Sequence, residues 1–245
     1  MNLSLPSRIS RLNHFLLCML AFWGIGLVLL ISYGYEGSFL MLNRMHHPLL
    51  DAIMPHLTHL ADGIVLSSLF VLIVVRKEPA LALSMLLGLL VVMFMVGLAK
   101  QQMFPTWDRP PLVFEGREHI HQLNMRPLRY RSFPSGHSAA AALMMLMYAF
   151  YDANKRTGWL WALATVVLAY TRLYIGVHFL GDILAGSFLG IVFGLAILYW
   201  FYPWMHARTQ AMRPAYRKAL VWTLGLLALA VLVSGILRLY FLYYQ

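Results

Sequence analysis

The sequence predicts an all-α fold, a polytopic bundle of six to seven transmembrane helices that forms one integral membrane domain over residues 1–245. Composition indicates this class: 61% of the residues are hydrophobic and 11% are charged, with a mean hydropathy of +0.70. Soluble domains carry roughly 25% charged residues. Apolar stretches of about 20 residues also recur, the length a helix needs to cross a bilayer. Helices are required because backbone groups in lipid must pair within their own segment.

Seven apolar stretches define the candidate spans. They cover residues 13–34, 60–75, 79–99, 136–151, 158–176, 183–202 and 219–241. The first follows Arg8 and Arg11, as the core of a signal peptide would. It is longer than a usual signal core, however, and no small-x-small cleavage site follows it, so we expect an uncleaved span. In residues 35–59 the apolar residues recur at helical spacing, which predicts an interfacial amphipathic helix.

Basic residues at the ends of the spans indicate the orientation. In a seven-span arrangement one side carries Arg8, Arg11, Arg76, Lys77, Lys155, Arg156, Arg208, Arg213, Arg217 and Lys218. The opposite side is also basic, but short connections and the first span carry more weight than a long loop. The first side is therefore expected to be cytoplasmic. The loop of residues 100–134 then faces the periplasm or the exterior, in a bacterial inner membrane.

The net charge of +10 raises the question of a nucleic-acid partner. No basic domain and no aromatic-basic module stands apart from the spans, so we expect no nucleic acid and instead expect anionic lipid as the partner. No obligate protein partner is evident. Cys18 is the one cysteine, which excludes an internal disulfide.

Three polar clusters lie at the ends of spans on the same predicted membrane face. Ionisable residues are costly there and usually functional. The clusters are Lys100 with Arg109-Pro110, then Pro134-Ser135-Gly136-His137, and then Thr171-Arg172 with His178 and Asp182.

The last cluster has the pattern of an activated imidazole. His178 and Asp182 are four residues apart, which on a helix places them on one face. A carboxylate bound to one imidazole nitrogen leaves the other nitrogen free to attack. Arg172 lies beyond Gly176, where the chain can bend, and a guanidinium suits phosphate because it grips two oxygens. The alternative is a buried structural His–Asp pair with a snorkelling arginine.

The other two clusters can bind and protonate an anion. Ser135 can cap the helix that follows, and Gly136 allows a ligand to approach the free N–H groups at its start. His137 in the first turn can protonate a departing alkoxide or activate water. Lys100 and Arg109 can supply fixed positive charge to phosphate oxygens. Taken alone, the first motif is also a plain turn and cap, and the lysine a snorkelling anchor.

Together the clusters resemble the type 2 phosphatidic acid phosphatase superfamily, which includes the vanadium haloperoxidases. Its pattern is Lys-x6-Arg-Pro, Pro-Ser-Gly-His and Ser-Arg-x5-His-x3-Asp, and the match covers residues 100–182. The flanking spans fit the membrane branch of the superfamily, so its helical core is expected here. Eight residues separate Lys100 from Arg109 where the family usually has six, and Thr171 replaces the family's serine. The seventh span exceeds the usual six.

The resemblance implies a role for each residue. His178 would be the nucleophile that takes the phosphoryl group, Asp182 its orienting partner, and His137 the acid that protonates the leaving group. The residues that would bind phosphate are Lys100, Arg109, Ser135, Gly136 and Arg172. No metal and no other cofactor is implied, and no acidic cluster suited to Mg²⁺ is seen in the sequence.

Other polar residues leave alternatives open. His119 and His121 could bind a metal, but with no second ligand pair in view they are expected to be solvated loop residues. Arg126, Arg129 and Arg131 could contact a head group or meet anionic lipid. His46, His47, His56 and His59 are expected to be structural, at the interface or at the entrance to the site.

The function implied is a membrane lipid phosphatase that works through a phosphohistidine at the outer face. Its candidate substrates are undecaprenyl pyrophosphate, phosphatidylglycerophosphate and lipid A. One alternative is a phosphotransferase that passes the phosphoryl group to a second lipid. Another is a non-enzymatic anion transporter, against which no inverted repeat or pair of broken helices is evident.

Overall fold

The computed structural model describes residues 9–123, 128–152 and 154–244, and in these ranges it contains helices and no strand. This confirms the all-α prediction. The α-helices are α1 (Asn13–Asn43), α2 (Pro48–Leu60), α3 (Gly63–Val74), α4 (Pro79–Leu98), α5 (Pro110–Val113), α6 (Gly136–Asp152), α7 (Gly158–Tyr174), α8 (Leu180–Ala196), α9 (Tyr202–Ala211) and α10 (Pro214–Tyr244). The π-helical segments Ala99–Met103 and Ile197–Phe201 continue α4 and α8.

Helix α6 lies at the centre of the bundle. Every residue from Ser138 to Met147 is buried, and the helix contacts α3, α4, α7 and α8. A helix that is apolar or small on all sides is expected in the interior. The position of α6 matters because its first turn carries the Ser-Gly-His motif.

A stripe of glycines brings α8 against α6. Gly186, Gly190 and Gly194 recur every four residues on one face of α8. A Cβ on Gly186 would lie 2.3 Å from the carbonyl oxygen of Ser135, and one on Gly190 would lie 2.2 Å from that of Ala139. Small residues at this spacing let membrane helices approach closely. The starts of the two helices are thereby held side by side.

Helix α1 extends further than the predicted span of residues 13–34. Gly34 has φ +69° and ψ −178° and bends the helix, which then continues to Asn43. A positive φ of this kind is unstrained only for glycine. Tyr35 therefore follows directly after the bend.

The segment between α1 and α4 is a bent pair of helices. Helix α2, Pro48–Leu60, confirms the helix predicted within residues 35–59, and its placement at the membrane interface stays a prediction. It meets α3 at an angle of 69°. Helix α3 has 12 residues, or about 18 Å, which is too short to cross a bilayer alone.

Four helical stretches of the described residues are long and apolar enough to cross a membrane, or five if the bent pair is one span. They are Asn13–Asn43, Pro79–Met103, Leu180–Ala211 and Pro214–Leu237. Helices α6 and α7 have 17 residues each. The chain is thus a multi-pass membrane protein, and the count of six to seven spans stays a prediction.

Candidate active site

The His178–Asp182 pair lies between α7 and α8, at the end of the bundle where α6 begins. The Nδ1 atom of His178 is 3.0 Å from Oδ2 of Asp182, and both side chains are almost fully buried. The prediction that both residues share a helix face was wrong, because α8 starts at Leu180 and His178 precedes it. Instead Asp182 lies in the first turn and reaches back, where Oδ2 also accepts a hydrogen bond from the backbone N–H of Phe179 at 2.9 Å.

The neighbours of the imidazole define its tautomer. Nη1 of Arg109 lies 3.1 Å from Nε2 of His178, and a guanidinium can only donate. Nε2 is therefore the nitrogen with the lone pair, and Nδ1 carries the proton that is shared with Asp182. Burial, followed by the positive charge of Arg109, holds the pKa of His178 well below its usual value. The ring is thus kept neutral, the form that can act as a nucleophile.

The carboxylate of Asp182 is fixed by two further donors that sequence reasoning did not identify. The hydroxyl of Ser132 donates to Oδ2, and that of Tyr35 donates to Oδ1. Nε1 of Trp107 in turn donates to the Tyr35 hydroxyl at 3.0 Å. The only signal in the sequence for Ser132 is its place three residues before Ser135, and Tyr35 lies too far along the chain to be linked to Asp182 by any local pattern.

Arg109 and Lys100 converge on one backbone carbonyl. Nζ of Lys100 donates to the oxygen of Arg131 at 2.9 Å, and Nη2 of Arg109 donates to the same oxygen at 3.4 Å. Arg131 has φ +56°. The longer separation of these two cations, compared with the family pattern, is accommodated where α4 widens into a π-helical segment, since a π-helical turn absorbs extra residues. The structure therefore brings Lys100 to the site.

Arg109 is oriented by the backbone on both sides of the site. Its Nε donates to the oxygen of Tyr130 at 2.9 Å, and its Nη1 donates to that of Val177 at 3.1 Å. The side chain is only 8% exposed. A charged group held by this many fixed bonds loses little further entropy when an anion binds.

Arg172 keeps one donor unused. Its Nη1 donates to the hydroxyl of Thr58 at 2.7 Å. Its Nε is buried and has no partner among the described residues. A buried donor without a partner costs about 1–3 kcal/mol, so an anion that accepts from Nε would remove that cost.

The turn after α7 links Arg172 to His178. The N–H groups of Val177 and His178 both donate to the carbonyl oxygen of Arg172, at 3.1 and 3.2 Å. Gly176 has φ +75°, and a Cβ there would lie 2.6 Å from the oxygen of His121. Glycine is therefore required both for the conformation and for the space.

The Ser-Gly-His segment lies against the start of α8. The N–H of Ser135 donates to the carbonyl oxygen of Asp182 at 3.0 Å, and Oγ of Ser135 accepts from the N–H of Ser138 at 3.3 Å. This confirms that Ser135 caps the helix, which begins at Gly136. His137 interacts electrostatically with Arg172 and His178. Its Nε2 is 3.9 Å from Oδ2 of Asp62, a contact that the sequence did not reveal.

The three arginines proposed as head-group contacts have different surroundings. Arg129 makes a bidentate pair with Glu115, with both distances 2.8 Å, and this contact raises the pKa of Arg129. Arg131 contributes its backbone carbonyl, as described above. Arg126 lies outside the described residues.

The prediction that His121 is a solvated loop residue was wrong, whereas His119 is exposed as expected. His121 is partly buried and bonds to Asp51 through Nε2 at 2.8 Å. One ligand atom each from His46, Asp51 and His121 lies within 4.8 Å of the others. The two rings are stacked, however, 4.1 Å apart and 5° from parallel. A metal ion lies in the plane of a ligating imidazole, so these rings as placed do not share one.

The fold and the site together define a class of protein: a multi-pass helical membrane protein in which a neutral histidine, paired with an aspartate, lies beside converging cations. The model of the PAP2 superfamily matches residues 81–206, just over half of the chain. The chain belongs to this superfamily and is a lipid phosphatase.

The chain is also similar to individual proteins. The chain is 27% identical over 208 residues to a lipid A 4'-phosphatase of Porphyromonas gingivalis, covering 77% of this chain and 85% of the relative. It is similar to the crystal structure of Aquifex aeolicus LpxE, with a TM-score of 0.59 and 28% identity, over 66% of this chain and 93% of that one. A shorter match reaches the bacitracin transport permease protein BcrC of Bacillus licheniformis, 34% identical over 69 residues, which is 28% of this chain and 32% of the relative.

Proposed function

We propose that this protein hydrolyses a phosphate monoester of lipid A at the outer face of the membrane, through a phosphohistidine on His178. The observation that carries the proposal is the geometry of the imidazole. Its Nδ1 is bonded to Asp182, and its Nε2 lone pair points to Arg109, a cation that suits a phosphate oxygen.

Binding brings the substrate phosphate among the cations. One phosphate oxygen takes over the Nη1 donor of Arg109, which releases the lone pair of His178. A second accepts from the unused Nε of Arg172, while Lys100 adds charge from the other side. The N–H groups at the start of α6 favour an anion as well. These groups stabilise the charge that develops in the transition state.

In the first step Nε2 of His178 attacks phosphorus. A P–N bond forms as the P–O bond to the lipid breaks, and protonated His137 gives its proton to the departing alkoxide, which leaves as the lipid alcohol. The negative charge of the bound phosphate favours the protonated form of His137. Asp182 stabilises the positive charge on the phosphorylated ring through Nδ1–H.

In the second step water replaces the lipid alcohol. Neutral His137 takes a proton from the water as its oxygen attacks phosphorus, and the P–N bond breaks. The electron pair returns to Nε2, inorganic phosphate leaves, and both histidines regain their starting states. His137 is thus an acid in one step and a base in the next.

The substrate and the membrane face are proposed on separate grounds. The similarity to the lipid A 4'-phosphatase extends over most of both chains. A lipid head group can reach the site because the site lies at one end of the bundle. The face follows from the positive-inside rule, since the opposite end carries the basic short connections.

A variant of His178 tests the chemistry. His178→Ala should lower phosphate release by at least about 10³-fold, because the nucleophile acts as part of a unit. His119→Ala, at an exposed loop histidine, is the matched control and should keep full activity. A radiolabelled substrate quenched in base should leave label on the wild-type protein that acid removes. Label on another residue, or turnover that survives in His178→Ala, would exclude the mechanism.

A substrate panel tests the lipid separately. Lipid A should give the highest kcat/KM among lipid A, undecaprenyl pyrophosphate, phosphatidylglycerophosphate and phosphatidic acid. Release of phosphate without a second lipid would support hydrolysis, whereas release that requires an acceptor would indicate a phosphotransferase. EDTA should leave the rate unchanged. A preference for another lipid would reject lipid A as the substrate but leave the mechanism intact.

A further inference from the structure

We propose that a groove at the opposite end of the bundle binds an anionic phospholipid. The groove has a volume of about 920 Å³ and lies between the end of α3 and the first half of α10. It is separate from the phosphatase site, because Asp62 at the start of α3 marks the site end and Arg76 just beyond the end of α3 marks the groove.

The part of the groove nearest the end of α3 and the start of α10 is basic. Arg76, Arg217 and Lys218 line it, and among the described residues that line it none is acidic. Within the part of the chain that the structure describes, none of these three cations forms an ion pair. Glu78, the nearest acidic residue in sequence to Arg76, instead contacts His206 at 3.4 Å and Tyr202 at 3.3 Å. The groove thus carries concentrated positive charge at this end of the bundle.

The start of α10 adds to this preference for an anion. The helix begins at Pro214, which lines the groove. The first N–H groups of a helix lack partners within it and carry partial positive charge. Arg217 and Lys218 lie in the next turn, so side chains and backbone favour the same ligand.

The part of the groove further along α10, away from its start, is apolar. It is lined by Ile73 from α3 and by Val221, Trp222 and Leu229 from α10. Gly225 also lines it, and a Cβ on Gly225 would meet nothing within 4 Å. Cations above an apolar wall match a phosphate head group above an acyl chain, and basic pockets between membrane helices bind anionic lipids in this way.

Every residue that lines the groove lies outside residues 81–206, the range of the superfamily match. The groove is therefore built by chain segments that flank the phosphatase core. This gives the C-terminal helix a role that catalysis does not require, namely to hold a lipid of the membrane against α3.

Native mass spectrometry of the detergent-purified full chain can test the proposal. Phosphatidylglycerol and phosphatidylcholine with the same acyl chains are titrated against the wild type and two double variants. Arg217→Gln with Lys218→Gln should weaken phosphatidylglycerol binding about tenfold, since each basic residue near the surface contributes to the attraction. Arg156→Gln with Arg208→Gln removes the same charge at the same end, outside the groove, and should leave binding unchanged.

A second pair of variants tests the acyl wall and covers the case in which the charge variant does not fold. Gly225→Leu adds a side chain to the groove at a position where a Cβ meets nothing within 4 Å, and should weaken lipid binding. Gly24→Leu is the control, because a Cβ there also meets nothing within 4 Å. Phosphatase activity should stay at the wild-type level in all four variants.

Three results would overturn the proposal. One is equal binding of the two lipids by the wild type, and another is equal weakening by a groove variant and its control. The third is full competition by inorganic phosphate with no preference for the lipid, which would indicate a site for the free ion.

Discussion

The two ends of the bundle both carry arginine and lysine side chains, but these side chains are held in different ways. At the site end Arg109 and Arg172 are buried and oriented by named carbonyl and hydroxyl groups. At the groove end Arg76 and Lys218 are exposed and, among the described residues, form no ion pair. Chemistry needs charges that are already oriented before the transition state. A lipid contact needs only charge and an adaptable side chain, so the difference teaches that geometry rather than charge separates the two ends.

Among the tests of this comparison, the largest effect is expected when the arginine at the site end is replaced by lysine. Arg109→Lys keeps the charge but loses the fixed donors to Tyr130, Val177 and His178, and should lower kcat about 10²-fold. Arg217→Lys should leave kcat unchanged, because Arg217 lines the groove and not the phosphatase site. Steady-state kinetics on purified proteins would measure both, and equal losses at the two ends would remove the distinction.

The second effect concerns how the site end is held together. Gly190→Ala places a Cβ 2.2 Å from the oxygen of Ala139, so α8 must move away from α6. Overpacking of this kind costs about 1–3 kcal/mol, and the melting temperature should fall with the activity. Gly24→Ala faces open space and should change neither. A Gly190→Ala protein as stable as the wild type would show that close approach of the two helices is not needed.

A smaller effect is expected where a hydroxyl positions the carboxylate. Tyr35→Phe removes one of the donors to Asp182 and should lower kcat about tenfold with KM unchanged, a cost of one hydrogen bond to a charged group. Tyr33→Phe, at an exposed tyrosine two residues away, should behave as the wild type. A change confined to KM would place Tyr35 in substrate binding instead.

The smallest effect is a shift in pH dependence. Since the charge of Arg109 helps to lower the pKa of His178, Arg109→Gln should raise that pKa. His178 must be neutral to attack, so the activity of the variant should be lost at a higher pH than that of the wild type as the pH falls. The profile of kcat/KM against pH should move by up to about one unit. A profile that stays in place or moves to lower pH would contradict the contact.

The sequence predicts the fold and the clustered residues better than their connections. Spans follow from apolar length, and the cap at Ser135 follows from residue type next to a helix start. The continuation of α1 past Gly34 to Asn43 was missed, because the polar residues Glu36 and Ser38 end the apolar run that defined the span. His178 was placed on a helix because four-residue spacing fits a helix, but it also fits a carboxylate that caps the turn before one.

The remaining site contacts join residues that are far apart in the chain, so no local sequence pattern predicts them. Tyr35 meets Asp182 across 147 positions of the chain, and Thr58 meets Arg172 across 114. The carbonyl of Arg131 that joins Lys100 and Arg109 is a backbone atom, which every residue type provides. Such contacts are visible only when the helix ends are brought to one place.

The contact between Arg109 and Nε2 of His178 has a consequence for the resting protein. While the guanidinium engages the lone pair, the imidazole is masked, and electrophiles that modify histidine should react with it slowly. Only a ligand that draws the arginine to its own oxygens unmasks the ring. The reactivity of His178 is thus coupled to recognition of a phosphate, and a lipid without a phosphate would leave Arg109 bound to the ring.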